Sequence, residues 1–432
     1  MNLNKKTKII LNYLLSKDNI IKGIYPIDFY NDYPQFYQYA TTYSIFNDSE
    51  EDNKLIANAI SENKEEALIK TVMETLERFY LTISPPHKEL IKDNFLNLKE
   101  KLKQKSNKIK ILNPEIFFNI IKKQNNKNNK FCFNQKTNFY WVKAINFLTN
   151  SKILIPAQLF YLTFSKEPII RFPDSSGAAA NFSINDALKS SILELIERDA
   201  FAIFFYTKKE PKKVDLLKTN NKKIKEIIEK INKYRLFIYS FDITADLNMP
   251  TIASFIVDRS GLGPALTCGV AADFDLVNAL KKSILECCQT LNSLRDISLI
   301  KNEKIKTKLI KKSPITKRLI FWSKTENLFY FKHLFSLKPT PIFSHKVKKK
   351  IENNKDLLKK IKKMASLKKI NIFWKKVSPK ILDKYNIFLV KSVSFDLIPL
   401  SLFHDFPYLN HPRLKKHKLK EENLLKLPHP LP

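Results

Sequence analysis

The stretch from Ser176 to Arg198, SGAAANFSINDALKSSILELIER, decides how the rest of the chain is read. It opens on Gly177 and three alanines, then carries Ala187, Ser191, Glu194, Glu197 and Arg198. The chain has only 5 glycines in 432 residues. Gly177, Gly261, Gly263 and Gly269 lie in or just before two segments of this design. Glycine serves positive φ and close approach of backbone to a ligand. In a chain almost without it, these positions are expected to need it. Ser183 with Asp186 three residues later reads as a capping box that opens a helix.

The design occurs three times. Ala67, Thr71, Glu74, Glu77 and Arg78 form one copy, and the residues above a second. Ala279, Ser283, Glu286 and Gln289 form a third, preceded at Gly269 to Ala272 by the same Gly-x-Ala-Ala found at Gly177. At roughly 100° per residue the shared positions fall on one helix face. Leu76, Leu195, Ile196 and Leu285 leave that face for the core. One Glu-x-x-Glu-Arg is ordinarily a solvated surface; three copies at one spacing point to repeated structural units. Carboxylates gathered from such helices suit a metal ion and phosphates.

Composition narrows the class. A hydrophobic content of 44% with 12% aromatic residues describes a globular chain with a real core. No apolar run approaches the length of a membrane helix. Ile9 to Leu15 is too short and interrupted for a signal peptide. Cys132, Cys268, Cys287 and Cys288 lack zinc spacing, so a reducing cytoplasm is expected rather than a disulfide framework. The net charge of +34 invites a polyanion partner. Its lysines, however, are spread along the chain with Asn and Ile, as an A/T-rich genome would write them, so specific nucleic-acid binding is not expected.

Two parts are expected: 1–130, with the first Glu-x-x-Glu-Arg helix and a Lys/Asn-rich linker, and 131–432, the main catalytic part. Phe139–Val142, Ile153–Ile155, Leu236–Asp242, Thr251–Val257 and Ile387–Phe395 read as strands. Residues 300–385 read as Lys-rich helices with solvated faces. Together these describe an α+β fold of mixed sheets covered by helices, with three Ala-x3-Ser/Thr-x2-Glu helices lining one nucleotide site.

These residues resemble the YcaO family of ATP-using peptide-modifying enzymes. Ser191, Glu194, Glu197 and Arg198 match its Ser-x-x-Glu-x-x-Glu-Arg motif, and Glu286 with Gln289 its Glu-x-x-Gln motif. Trp141-Val142, Ile155-Pro156-Ala157, Phe241 to Thr244 and Pro412-Arg413-Leu414 resemble family strand and loop signatures. Pro428, Pro430 and Pro432 resemble the terminal Pro-x-Pro-x-Pro of the subgroup that forms azolines in thiazole/oxazole-modified peptides. Departures include Ala59-Ile60-Ser61 where many relatives have Gly-Lys-Gly, and Asn181 and Asn410 where glycines are common.

The resemblance implies that Glu74, Glu77, Glu194, Glu197 and Glu286 hold Mg²⁺ against ATP. It implies nucleotide contacts from Ser16, Arg78, Gly177, Ser191, Arg198, Gln289 and Arg295. The implied reaction is cyclodehydration of Cys, Ser or Thr in a ribosomally made precursor peptide to thiazoline or oxazoline, through phosphorylation of the backbone amide oxygen. Thioamidation, amidine formation and a non-catalytic scaffold are the alternatives. An E1-like or ThiF-like partner is expected to bind the leader, and a second copy of the chain is a further candidate partner. The tail from Pro428 to Pro432 is expected to dock beside the nucleotide and organise chemistry more than fold. His404, His411 and His429 are the candidates for proton transfer.

Overall fold

The computed structural model describes residues 20–28, 30–44, 54–83, 85–104, 109–116, 133–164, 167–219, 221–261, 263–299, 314–341, 353–403 and 407–431. Ser16, Cys132, His404 and Pro432 lie outside the described residues.

Three sheets carry the fold. The first is an antiparallel meander of β1 (Ile21–Pro26), β2 (Tyr37–Ser44) and β3 (Lys54–Ser61). Next in the chain come β4 (Ile91–Asn94), β5 (Lys110–Ile111), β6 (Asn138–Asn146), β7 (Lys152–Pro156), β8 (Ala178–Asn181) and β9 (Lys212–Lys213). They are followed by β10 (Phe237–Asp242), β11 (Thr251–Val257), β12 (Leu266–Ala272), β13 (Phe373–Lys376) and β14 (Phe388–Val393). The second sheet runs β12-β11-β10-β9, and the third β5-β7-β6-β13-β14-β8 with β4 also on β6. Because β4 pairs with β6 and β5 with β7, strands from either side of residue 130 share one sheet. That residue is no sheet boundary.

Every residue of β11 and β12 is buried. Such strands need cover on both faces and read as continuous apolar runs. Part of the cover on the second sheet comes from the helix Lys222–Asn232, whose Ile224, Ile227, Ile228 and Ile231 are buried at i, i+3, i+4 and i+7 while its lysines face outward. Asn221 starts it, accepting from the Ile224 N–H at 3.2 Å.

The three patterned segments become helices α1 (Lys64–Thr82), α2 (Ile184–Tyr206) and α3 (Leu276–Leu299). Each follows a strand: β3, β8 and β12. Caps fix the starts: Asn63 accepts from the Glu66 N–H at 3.0 Å, and Ser183 from the Asp186 N–H at 3.1 Å. Each helix packs on its own preceding strand and also on the next unit's. Helix α1 reaches β8, α2 reaches β12, and α3 reaches β3. The three units thus close a ring, and the faces bearing the glutamates turn inward.

Small residues and hydroxyls make that closure possible. Ala67, Ala187 and Ala279 are fully buried, as are Thr71, Ser191 and Ser283. Thr71 Oγ1 donates to Tyr39 O at 3.2 Å, Ser191 Oγ to Gly177 O at 2.7 Å, and Ser283 Oγ lies 2.7 Å from Ser254 Oγ. The hydroxyl position therefore bonds helix to sheet. Gly177 has φ +76° and Gly261 φ +75°. At Gly269 a Cβ would stand 2.2 Å from Ser283 O. The close approach expected of glycine is real at Gly269, but what approaches is the α3 backbone and not a ligand.

Candidate active site

At the ring's centre three of the five glutamates each accept one backbone N–H. Gly177 N–H donates to Glu194 Oε2 at 3.1 Å, Val270 N–H to Glu286 Oε2 at 3.1 Å, and Ala272 N–H to Glu197 Oε2 at 3.3 Å. The last crosses from α2 to β12. Two guanidiniums balance part of the charge. Arg78 Nη2 lies 2.7 Å from Glu74 Oε1, and Arg198 Nη2 lies 3.3 Å from Glu194 Oε1. Arg198 Nε is buried with no hydrogen-bond partner.

Five carboxylates against two guanidiniums leave an excess of negative charge. Burial, then the facing Glu194 and Glu74, pushes Glu77 well above the usual carboxylate range. Burial, then Glu286, does the same to Glu197. Glu286 is pushed up to about 7, by burial first, against the opposing pull of Arg198. Carboxylates buried against one another are stable only with a proton or a cation between them. Among the described residues no three Asp, Glu, His or Cys side chains stand close enough together to hold a metal ion. Mg²⁺ takes phosphate oxygens and waters beside one or two carboxylates, so it would need only some of these glutamates. The residues fit a Mg²⁺–nucleotide site.

Lys391 is a member of the cluster that the sequence reading missed. It sits in β14, is 1% exposed, and its Nζ donates to Asp174 O. Burial pulls its ammonium down to about 8, while Asp174, Glu194 and Glu77 pull the other way. The available signal was a lone lysine inside FLVKSV, a strand buried over all but its first residue.

Several expected nucleotide contacts stand elsewhere. The Ser191 hydroxyl is fully enclosed between Gly177 O and Ser392 Oγ, the latter at 2.6 Å, so it is a packing group here. Gln289 Nε2 donates to Asn58 O at 2.9 Å, tying α3 to β3. Arg295 is paired with Asp32, its Nη2 2.8 Å from Oδ2, and lies over the Tyr30 and Tyr33 rings.

The tail is built into the core. Pro428, His429, Pro430 and Leu431 are buried. Trp322 Nε1 donates to Pro428 O at 2.8 Å. His429 lies edge-on to Phe201 and Phe205 of α2. Its Nε2 is 2.7 Å from Arg318 Nη1 and 2.9 Å from Ser401 O. Burial, then Arg318, holds His429 far below the ordinary imidazole range. Burial favours its neutral form, and its ring is packed into the core as a structural group. His411 is held at about 4, chiefly by burial, and its Nδ1 accepts from Arg413 N–H at 3.2 Å; it too is structural. Arg198 acts electrostatically on both Arg318 and His429, so the tail does border the acidic cluster.

The family model for YcaO cyclodehydratases, described as ATP- and Mg²⁺-binding, matches residues 59–375. This chain belongs to the YcaO family. ATP and Mg²⁺ are the family's cofactors. An uncharacterised protein of Methanothermobacter thermautotrophicus is 26% identical over 160 residues, which are 36% of this chain and 42% of that relative. The chain thus matches less than half the length of that curated relative. Three solved structures share the fold. A heterocyclase in complex with substrate and cofactor has a TM-score of 0.71 at 15% identity, covering 97% of this chain and 56% of its own. YcaO from Methanopyrus kandleri, bound with AMPPCP and Mg²⁺, gives 0.62 at 11% identity over 90% and 89%. The Escherichia coli microcin synthetase McbBCD complex with pro-MccB17 bound gives 0.60 at 15% identity over 87% and 88%. Among the described residues no helix is long and apolar enough to cross a membrane.

Proposed function

We propose that this protein is an ATP-dependent cyclodehydratase that converts Cys, Ser or Thr of a ribosomally made precursor peptide to thiazoline or oxazoline. The observation that carries the reading is the closed ring of α1, α2 and α3, which turns five glutamates and two arginines to one centre. A site of carboxylates and guanidiniums, with no activated nucleophile, suits phosphoryl transfer, where catalysis is mostly positioning and charge neutralisation. The likeness of fold to a heterocyclase and to a microcin synthetase component supports it.

In this reading Glu74, Glu77, Glu194, Glu197 and Glu286 hold Mg²⁺. The N–H groups of Gly177, Val270 and Ala272 orient three of those side chains. Arg78 and Arg198 face the phosphates, with Arg198 Nε, 4.0 Å from Glu197 Oε1 and without a hydrogen bond, serving as donor. Lys391 offsets the charge of Glu77 and Glu194. The peptide's own thiol or hydroxyl adds to the preceding carbonyl; bound ATP would give up a phosphoryl group, leaving ADP, so that the carbonyl oxygen departs as phosphate while the amide nitrogen loses its proton and the azoline C=N bond forms. The buried tail closes the site on the α2 side and excludes water. Leader recognition is assigned to an E1-like or ThiF-like partner.

The test combines purified chain, E1-like partner, peptide, ATP and Mg²⁺. The expected result is phosphate release in step with loss of one water per modified residue by mass spectrometry. ATP consumption with exchange of oxygen for sulfur, in a parallel reaction supplied with sulfide, would replace azolines by thioamides. A peptide of unchanged mass and no phosphate release would overturn the reading.

A further inference from the structure

Away from the acidic centre, the segment 418–420 runs antiparallel beside the end of α2. Thr207 pairs with Leu419, Lys208 N–H donates to Lys418 O at 2.8 Å, and Lys420 N–H to Tyr206 O at 3.0 Å. These bonds fix Lys420, whose ammonium lies 5.6 and 5.5 Å from the ring centroids of Phe204 and Phe205. A cavity of about 300 Å³ opens there, walled by Trp322, Tyr330, Phe331, Leu334, Leu424 and Leu427.

Both carboxylates at its rim are already paired. Glu421 is held by Lys208 at 3.0 Å and Glu210 by His333 at 2.7 Å. Lys209 donates to Thr244 O at 3.3 Å. Among the described residues that leaves Lys420 with ring faces and no anion. Burial alone lowers it to about 8, with no carboxylate acting to raise it. A cation fixed over aromatic rings in an apolar cavity with no anion of its own is a built half of a binding site.

We propose that this cavity binds a carboxylate carried on a compact apolar or aromatic body, the carboxylate paired with Lys420 and the body set among Trp322, Tyr330 and Phe331. A monoanion fits better than a phosphate dianion, because a second charge would enter the apolar wall without a partner. The volume lies at the small end of ligand pockets, room for one ring and its carboxylate. Such a group reaches the cavity either as a free acid or as the C-terminal residue of a peptide.

The experiment uses the full chain and no turnover, so its outcome is independent of the cyclodehydratase reading. Isothermal titration compares N-acetylphenylalanine with its amide, then Gly-Gly-Phe with Gly-Gly-Phe-amide. The acid is expected to bind at least about tenfold more tightly than the amide. Lys420→Met should erase the difference and Lys420→Arg keep it. Binding of the tripeptide acid as well would assign the source as a peptide terminus; binding of the small acid alone would assign a free acid. Competitive acetylation with acetic anhydride supplies a readout on the unmutated chain: N-acetylphenylalanine should protect Lys420 and leave Lys208 reactive. Equal affinity of acid and amide, or no binding of either with Lys420 unprotected, overturns the proposal.

Discussion

Arg318 Nη1 lies 2.7 Å from His429 Nε2, so a buried guanidinium and the tail's imidazole meet inside the core. Arg318 is fully buried, and its Nε and Nη2 have no hydrogen-bond partner. Burial, then Arg198, brings it down to about 10. Nη1 also caps the carbonyls of Ser401 and Leu402 at 3.0 and 3.3 Å. The tail is therefore part of the fold as well as a neighbour of the acidic cluster.

Deleting residues 428–432 should consequently lower the melting temperature along with any peptide modification. Leu431 is 2% exposed, and removing one such side chain costs about 1.5–3 kcal/mol. Loss of the Trp322 hydrogen bond adds to it. The expectation from sequence, a tail that shapes chemistry with little effect on stability, is corrected by this burial. Calorimetry on the truncated chain decides; an unchanged melting temperature would show that the core closes without the tail.

A buried ion pair sits one residue from the α2 motif. Arg413 Nη2 lies 2.6 Å from Asp199 Oδ2 and Nε 2.7 Å from Oδ1, while Ile398 N–H donates to Oδ1 at 2.9 Å. Burial raises the Asp199 carboxyl against the pull of Arg413, while, against burial, Asp199 and Asp246 hold the Arg413 guanidinium in its charged form. Removing Arg413 strands the buried Asp199, which typically costs about 3–5 kcal/mol, whereas removing Asp199 leaves Arg413 paired with Asp246 at 2.5 Å. Arg413→Met should therefore destabilise strongly, Asp199→Asn less, and the double variant by clearly less than their sum. Additive losses in denaturant melts would mean the two residues act independently.

Gly269→Ala tests the ring's closure. Its added Cβ would stand 2.2 Å from Ser283 O and 2.9 Å from Cys287 N, backbone atoms that cannot swing aside. Overpacking of this kind costs about 1–3 kcal/mol. Gly261→Ala meets nothing within 4 Å, although its φ of +75° makes the backbone itself strained. Thermal melts of the two variants should therefore both fall. Only Gly269→Ala should also weaken Mg²⁺–nucleotide binding, since it displaces α3 and with it Glu286.

The three helices and the strands β6, β7, β10, β11 and β14 were legible because period and spacing are local properties of the chain. What joins them was not. The contacts of α1 with β8, α2 with β12 and α3 with β3 link residues far apart in sequence. The Arg295–Asp32 pair spans 263 positions, so Arg295 could not be seen to have a partner. Ser191 was expected at the nucleotide because the family resemblance implied it; its hydroxyl bonds instead to the carbonyl of Gly177, just before β8. Trp322 and Arg318 were hidden in a Lys-rich stretch whose composition suggested only solvated helices. Lys391 was overlooked for a similar reason: in so lysine-rich a chain, one more carries no signal until its strand is seen to be buried.

Glu194→Gln and Glu197→Gln preserve shape while removing one charge each. Both glutamates accept a backbone N–H, which a glutamine oxygen can also accept, so the fold should hold and melting temperatures should not fall. Removing a like charge from a buried acidic cluster should, if anything, raise stability without metal. Mg²⁺-dependent ATP turnover, measured with partner and peptide, should be abolished in each. Turnover at the unmutated level in both would remove these residues from the site.

The pH dependence of metal binding follows from the same cluster. Glu286 is pushed up to about 7 and Glu197 well above its usual range, burial being the largest cause in both. Near neutral pH the metal-free site therefore holds protons that a carboxylate–Mg²⁺ contact must displace. A raised carboxylate is protonated below its folded value and charged above it, so Mg²⁺ competes with protons at low pH and is freed from that competition as pH rises. For a single group near 7, the charged fraction grows about tenfold between roughly pH 6 and pH 8. The apparent affinity for Mg²⁺ with a non-hydrolysable ATP analogue should rise by about that factor across this range and level off above it. The analogue and its metal complex titrate too, so Glu286→Gln is the reference: it should bind more weakly and show a flatter profile. Titration calorimetry in two buffers of different ionisation enthalpy should also report proton release by the native chain. An affinity that fell as pH rose, or a Glu286→Gln profile identical to the native one, would mean that Glu286 does not face the metal.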